Sequence, residues 1–233
     1  MTTGTPLRAL VTGAARGIGA ATARRLREDG CDVVTLDVSP GCDLTLDVFA
    51  GDLDPELFGS FDVVVANAAV VSTVAPSHEM TIGQWQGDID VNLTGAWRTI
   101  RAVLGGMRER RFGRIIAVSS IAAEGGMPNQ VAYAASKAGL LGMIRTLAVE
   151  QARHGITANA VVPGGIATEV MMAVPEQARA AIVAGIPAGR LGDPAEVAHL
   201  ISFLASDLAG YVTGEAIGID GAMGLTGVTQ MDS

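Results

Sequence analysis

The stretch Arg8-Ala9-Leu10-Val11-Thr12-Gly13-Ala14-Ala15-Arg16-Gly17-Ile18-Gly19 decides the fold. Its first half is short and apolar, as a strand buried on both faces should be. Its second half sets Gly13, Gly17 and Gly19 where the chain turns sharply into a small-residue helix. Such a turn lets a pyrophosphate approach backbone amides at a helix N-terminus, where the dipole favours negative charge. Glycines alone also serve any tight strand-to-helix connection, so context decides between the two. The second β-branched run, Asp32–Leu36, is closed by Asp37. That is about 20 residues past the last glycine, where a carboxylate can accept hydrogen bonds from both hydroxyls of a ribose. The same carboxylate repels a 2′-phosphate, so NAD is expected over NADP; the guanidinium of Arg16 pulls the other way.

Outward from this unit, short apolar runs alternate with segments of helical period. Strands are expected at Arg8–Val11, Asp32–Leu36, near Asp43–Leu46, and at Phe61–Ala66, Arg114–Ser119, Thr157–Val162 and Ala216–Asp220. Leu93, Trp97, Ile100, Leu104 and Met107 recur at steps of three and four, as do Lys137, Leu140, Ile144 and Leu147, marking amphipathic helices. A further helix covers Pro194–Ser206, capped by Asp193 with Pro194 at its first position. The pattern predicts one α/β domain over residues 1–233, a Rossmann-type doubly wound parallel sheet in three layers. Residues 164–192, with Met171, Met172, Pro175 and Pro187, read as an irregular, mobile substrate flap.

Sixteen basic against 24 acidic residues give a net charge of −8, and the only basic stretch is Arg108–Arg114. A nucleic-acid or anionic-membrane partner is disfavoured on that ground. No run of 18 apolar residues and no signal peptide is visible, so the expectation is a soluble, cytoplasmic protein. Cys31 and Cys42 lack the spacing of a redox or zinc site, and His78, His154 and His199 are scattered, so no metal is expected.

A second constellation is Tyr133-Ala134-Ala135-Ser136-Lys137, preceded by Ser120. On a helix, Lys137 lies one turn from Tyr133. A nearby ammonium stabilises phenolate and lowers the tyrosine pKa toward working pH. Ser120 closes the strand that begins at Arg114 and so stands at the carboxyl edge of the sheet, where ligands of open α/β folds bind. Taken alone, a Tyr/Lys pair is also what a solvated helix face with one aromatic anchor looks like; the glycine turn and Asp37 favour chemistry.

With these residues in place, the sequence resembles the short-chain dehydrogenase/reductase family, most closely its 3-oxoacyl-carrier-protein reductase branch. The likeness spans nearly the whole chain: Thr12–Gly19, Val91-Asn92-Leu93-Thr94-Gly95, Ser120, Tyr133-x-x-x-Lys137, Pro163-Gly164, Gly189–Gly192, Phe203–Asp207, Tyr211–Gly214 and Asp220-Gly221. The resemblance implies a tetrad of Asn92, Ser120, Tyr133 and Lys137. Tyr133 moves the proton, Ser120 orients the substrate oxygen, Lys137 lowers the phenol pKa and binds the nicotinamide ribose, and Asn92 holds a relay water. Asn92 is equally read as an amide kinking a helix. It further implies that Gly13, Arg16, Ile18, Asp37, Asn67 and Ala68 line the adenosine half of NAD, that Asp43 and Leu44 contact adenine, and that Ile166 and Thr168 meet the carboxamide.

Two departures stand out. Ala66-Asn67-Ala68-Ala69 replaces the usual Asn-Asn-Ala-Gly, adding a methyl near the cofactor. Val48–Ser60, with Gly51, Pro55 and Gly59, is too short for the usual crossover helix and is expected as a single turn or loop. The expected activity is NAD-dependent interconversion of a small secondary alcohol and its ketone. The alternatives are a reductase of 3-oxoacyl thioesters, docking an acidic carrier at Arg108, Arg110 and Arg111, and a non-catalytic NAD-binding sensor or scaffold. A homotetramer is expected by analogy, through the helices around Thr94–Arg110 and Tyr133–His154. Val103, Leu140, Met143 and Ile144 could serve that interface or face the sheet.

Overall fold

The computed structural model describes residues 5–50 and 53–225. Seven strands, β1 (Arg8–Thr12), β2 (Asp32–Asp37), β3 (Leu44–Thr45), β4 (Val63–Ala66), β5 (Gly113–Val118), β6 (Ile156–Pro163) and β7 (Ala216–Ile219), form one sheet. Their order is β3-β2-β1-β4-β5-β6-β7 and every pairing is parallel. The strand order reverses between β1 and β4, which opens a crevice at the carboxyl edge of the sheet there.

The helices are α1 (Gly17–Glu28), α2 (Pro55–Phe58), α3 (Ile82–Ile89), α4 (Ala96–Arg110), α5 (Ala122–Gly125), α6 (Val131–Gln151), α7 (Glu169–Met172), α8 (Glu176–Ala184) and α9 (Pro194–Ala205). Strand alternation divides the core in two. Leu10, Val64, Ile115, Ala117, Ala158 and Ala160 face Ile100, Val103, Met107, Leu140 and Ile144 of α4 and α6. Ala9, Val11, Val63, Val65, Ile116 and Val161 face Ala23 and Leu26 of α1 and Val197, Ile201 and Leu204 of α9. Two apolar faces, each covered by helices, are why the strands are largely apolar along their length. This is the three-layer, Rossmann-type sheet that the periodicity predicts.

Val103, Leu140 and Ile144 therefore face the sheet, with Met143 packed at the margin. Among the described residues of Val48–Ser60 the one helical element is the single turn α2, as expected, and the Phe58 and Phe61 rings meet edge-on at 6.1 Å. Trp97, expected to pack, is instead 40% exposed on α4. The helix expected to run from Leu93 is continuous with a π-helical turn, Asp90–Gly95, that joins it to α3. The flap is also not irregular. Glu176 to Ala184 is a run of good helix formers behind Pro175, and it forms α8. The flap base is pinned by a bridge between Ile166 and Gly192, by buried Ile186, and by the Ala188 amide on the Gly221 carbonyl at 3.1 Å.

Candidate active site

The glycine turn rests on a small polar lock. Thr12 Oγ1 accepts the amides of Asn67 and Ala68, each at 3.1 Å, while Asn67 Nδ2 donates to the carbonyls of Thr12 (2.9 Å) and Gly13 (3.0 Å). Asn67 is thus the floor of the turn rather than a free wall. Gly13 has φ +64°, and a Cβ there would lie 2.7 Å from the Ala68 Cα; at Gly19 it would lie 2.1 Å from the Gly13 carbonyl oxygen. Across the turn, Gly17 faces the Thr168 methyl, so Thr168 closes over the glycines from the flap. Arg16, at the N-cap, makes no side-chain cap, and the first turn of α1 carries no acidic residue. The turn therefore presents helix-end amides with no side chain in the way, a cradle whose shape and polarity fit a dinucleotide pyrophosphate. Arg16 itself is exposed, and Ile18 is half-buried against the core. Ala69 is exposed, so its extra methyl meets no protein atoms that must shift.

Asp37 ends β2 beside this cradle. Its Oδ2 accepts the Ala15 amide at 3.1 Å and its Oδ1 the Ser39 amide at 2.9 Å. Partial burial pushes its pKa up, but these hydrogen bonds outweigh it and leave the carboxyl below its ordinary value. Each oxygen keeps a lone pair for a ribose hydroxyl.

Asp43 and Leu44 do not reach that place. Asp43 Oδ2 accepts the amide (2.8 Å) and hydroxyl (2.7 Å) of Thr35 and pairs with Arg27 at 3.4 Å, and Leu44 packs on the core. The reason is register: Leu44 pairs with Leu36, so Asp43 precedes β3 and the carboxyl edge lies beyond Thr45. Asp47, whose Oδ1 accepts the Phe49 amide at 2.8 Å, stands at that edge, just past Leu46, whose amide bonds the Asp37 carbonyl at 2.9 Å.

The proposed tetrad is assembled from β5, α6 and the π turn. Ser120 follows β5, is buried, and its Oγ accepts the Ala122 amide at 3.2 Å. Lys137 is buried and donates Nζ to the Val118 carbonyl at 2.8 Å, while Ser119 Oγ donates to the Lys137 carbonyl at 2.9 Å. These contacts clamp the first turns of α6 to the end of β5. Burial lowers the Lys137 ammonium to about 8. Tyr133 departs from expectation. Burial raises its phenol above the ordinary value and the charge of Asp88 adds to this, while a hydrogen bond with Ser120 draws it back. The ammonium, 5.7 Å from the ring centre, is turned to the Val118 carbonyl instead of the hydroxyl.

Asn92 lies in the π turn and is buried. Its Oδ1 accepts the Val70 amide (2.7 Å), and Nδ2 donates to the Val70 carbonyl (2.8 Å) and to Ser136 Oγ (3.1 Å). The side-chain amide thus ties the loop at Val70 to Ser136 on α6. Ser136 Oγ passes the connection on to the Tyr133 carbonyl at 2.7 Å.

Pro163 ends β6, and its carbonyl accepts the Ile121 amide at 3.0 Å. A Cβ at Gly164 would lie 2.8 Å from the Asp220 Cα. Ile166 turns its side chain into the core against Gly192, so it does not face the crevice as expected; Thr168 does.

The basic docking patch is misplaced. Helix α4 runs back to the start of β5, so its end lies at the amino edge, opposite Ser120 and Tyr133. Its arginines are also engaged: Arg108 with Gln151, Arg110 with Asp62 and the carbonyls of Gly59 and Phe61, and Arg111 with the Arg153 carbonyl. Among the described residues no three His, Cys, Asp or Glu side chains gather as a metal site, and no helix is long and apolar enough to cross a membrane.

The chain is similar to known proteins over most of its length. Residues 8–42 match the family described as short chain dehydrogenase, and residues 47–225 match the one described as Enoyl-(Acyl carrier protein) reductase. The 3-oxoacyl-[acyl-carrier-protein] reductase FabG of Vibrio cholerae is 38% identical over 236 residues, covering 92% of this chain and 96% of that protein. The 3-oxoacyl-[acyl-carrier-protein] reductase MabA of Mycobacterium tuberculosis is 40% identical over 228 residues, covering 93% and 92%. Among solved structures, a protein assigned as an NAD(P) dependent gluconate 5-dehydrogenase from Beutenbergia cavernae, with bound NADP, superposes with a TM-score of 0.86 at 32% identity, covering 93% of this chain and 96% of that one. Levodione reductase superposes with a TM-score of 0.84 at 28% identity, covering 94% and 98%.

Proposed function

The chain belongs to the short-chain dehydrogenase/reductase family, and from that premise we propose that it interconverts a ketone and a secondary alcohol, with Tyr133 as the acid/base. The observation that carries this reading is the meeting of Tyr133, Ser120 and Lys137 at the carboxyl edge, beside a glycine turn at a helix N-terminus. Gly13, Gly17 and Gly19 would hold the pyrophosphate of a nicotinamide dinucleotide, with Thr168 across from them. Asp37 would hold the adenosine ribose and Lys137 the nicotinamide ribose, with Pro163 and Gly164 along the nicotinamide. When bound, that group supplies or takes up the hydride.

The protein does the rest. Ser120 Oγ orients the substrate oxygen. Tyr133 Oη gives its proton to that oxygen in reduction and takes it back in oxidation. Lys137, whose pKa of about 8 leaves it charged at pH 7, stands one helical turn from the phenol, where its charge would favour phenolate on turning from the Val118 carbonyl. Asn92 holds the Val70 backbone and Ser136 in place behind the tyrosine.

The relatives named as 3-oxoacyl-[acyl-carrier-protein] reductases support a 3-oxoacyl thioester as the substrate class. Asp37 favours a second reading, a small alcohol or hydroxyketone handled with NAD, because its carboxylate stands where a 2′-phosphate would be repelled. A homotetramer and a cytoplasmic location accompany either reading. Exposed Trp97 on α4 and Val149 on α6 support the assembly.

The test is a paired assay: acetoacetyl thioester with NADH or NADPH, against a panel of secondary alcohols with NAD. Tyr133→Phe should reduce turnover of the accepted substrate by about a hundredfold or more while dinucleotide binding persists. Undiminished turnover in that variant overturns the reading.

A further inference from the structure

Asp88, in the last turn of α3, is fully buried, and nothing in the chemistry above uses it. Its Oδ1 accepts the Ser72 amide at 2.8 Å and the Ser72 hydroxyl as well. Its Oδ2 is buried with no hydrogen-bond partner among the described residues. Four residues on, Asn92 grips Val70 from both sides. The two side chains therefore fasten the same segment, the loop that leaves β4 through Asn67 and Ala68 along the edge of the crevice. A buried carboxylate normally spends both oxygens on donors. Here one oxygen does so, and the other meets no donor among the described residues.

We propose that Asp88 is a positioning residue for the reaction: it latches the Val70–Ser72 wall through Ser72 and presents its remaining charge to the Tyr133 hydroxyl. This rests on the proposed role of Tyr133. Helix α3 packs against α6, which carries Tyr133, and the phenol is pushed upward by Asp88 as well as by burial.

The other titratable groups on the packed elements are accounted for. On α6, Lys137 turns to the Val118 carbonyl, and Arg145 and Glu150 are exposed farther along. In the π turn, Asp90 takes the Gln86 amide at 2.6 Å. Before α3, His78 and Glu79 are exposed and pair with each other at 3.5 Å. No cation in this set sits on Asp88 to cancel it.

The experiment compares parent, Asp88→Asn and Ser72→Ala in the pH profile of kcat/KM for whichever substrate the paired assay accepts, with Tyr133→Phe as the control. Asp88→Asn keeps the side-chain size and an oxygen for the Ser72 amide but removes the charge. The limb set by the phenol should then move to lower pH by about half a unit or more. Ser72→Ala keeps the charge and the Ser72 amide; its limb should stay in place while KM rises severalfold. A purely structural Asp88 would lower the melting temperature of Asp88→Asn and leave the limb where it was, and that outcome overturns the inference. Should Asp88→Asn fold poorly, Asp88→Glu, which retains charge, must hold the parental limb; a limb moved to lower pH by about half a unit or more would equally overturn the inference. If Tyr133→Phe is fully active the reading of the site fails first, so the two failures are distinguishable.

Discussion

Replacing Lys137 by methionine should stabilise the free protein while ending its activity. Lys137 is 2% exposed, its ammonium donates to the Val118 carbonyl, and burial lowers it to about 8 from the ordinary 10.5. Below about pH 8 the lysine is charged in both the folded and the unfolded chain, so the native state carries the full cost of the buried charge. Between about 8 and 10.5 the unfolded chain holds more protons, and stability rises with pH until the cost is gone. At about 1.4 kcal/mol per pH unit, that gap is about 3 kcal/mol at pH 7. Losing the donor to Val118 gives back about 1 kcal/mol. The methionine variant should therefore be about 2 kcal/mol more stable at pH 7, or about 4–8 °C in Tm for a chain of this size. Urea unfolding at one protein concentration, at pH 7 and pH 10, reads both quantities. The advantage should shrink by about 2 kcal/mol at the higher pH. A variant less stable than the parent at pH 7, or an advantage independent of pH, would refute the claim that the site is maintained at a cost in stability.

Two further outcomes follow from the cradle and the carboxylate beside it. Gly19→Ala places a methyl 2.1 Å from the Gly13 carbonyl oxygen and 2.6 Å from Asn67 Nδ2, so calorimetric affinity for the dinucleotide should fall at least about a hundredfold; affinity within threefold of the parent would show that the turn is not the phosphate site. Asp37→Ser removes the charge that opposes a 2′-phosphate and should raise the NADP-to-NAD ratio of kcat/KM at least about tenfold, or about 1.4 kcal/mol. An unchanged ratio would mean that the discrimination lies elsewhere, with Arg16 the next residue to replace.

The sheet was legible because its strands are buried on both faces and so spell largely apolar runs; six of the seven expected strands agree with the structure to within a residue at each end, and the seventh, expected from Phe61, begins at Val63. Helix α8 was hidden because Pro175 and Pro187 bracket it and its exposed residues show no apolar stripe. Tyr133, Lys137 and Ser120 were legible because helical spacing and a strand end fix them from local sequence. Asp43 and Asp47 were not separable, since a two-residue strand gives no periodicity from which to find its end. The misplaced arginines show a different failure. Composition finds a cluster of charge, but only topology tells which edge of the sheet it occupies. Asp88 was invisible for the plainest reason: an acidic residue in an amphipathic stretch reads as solvated until a loop folds over it.

The raised phenol bears on direction of use. Tyr133 lies between a buried ammonium one helical turn away and a buried carboxylate on the neighbouring helix, and burial together with the carboxylate outweighs the help from Ser120. At neutral pH such a phenol keeps its proton, the state required of an acid that must protonate a ketone oxygen as the carbinol forms. To serve as a base toward an alcohol, the same group would first have to surrender that proton against the field of Asp88. The electrostatics of the free protein thus support the reductive role, in agreement with relatives named as reductases, while Asp37 supports NAD. The two can coexist where NADH is the reductant. That makes thioester reduction with NADH the decisive assay, since it satisfies both residues at once, and an enzyme that reduces no carbonyl but oxidises alcohols best near neutral pH would show that the phenol, not the carboxylate at Asp37, had been misread.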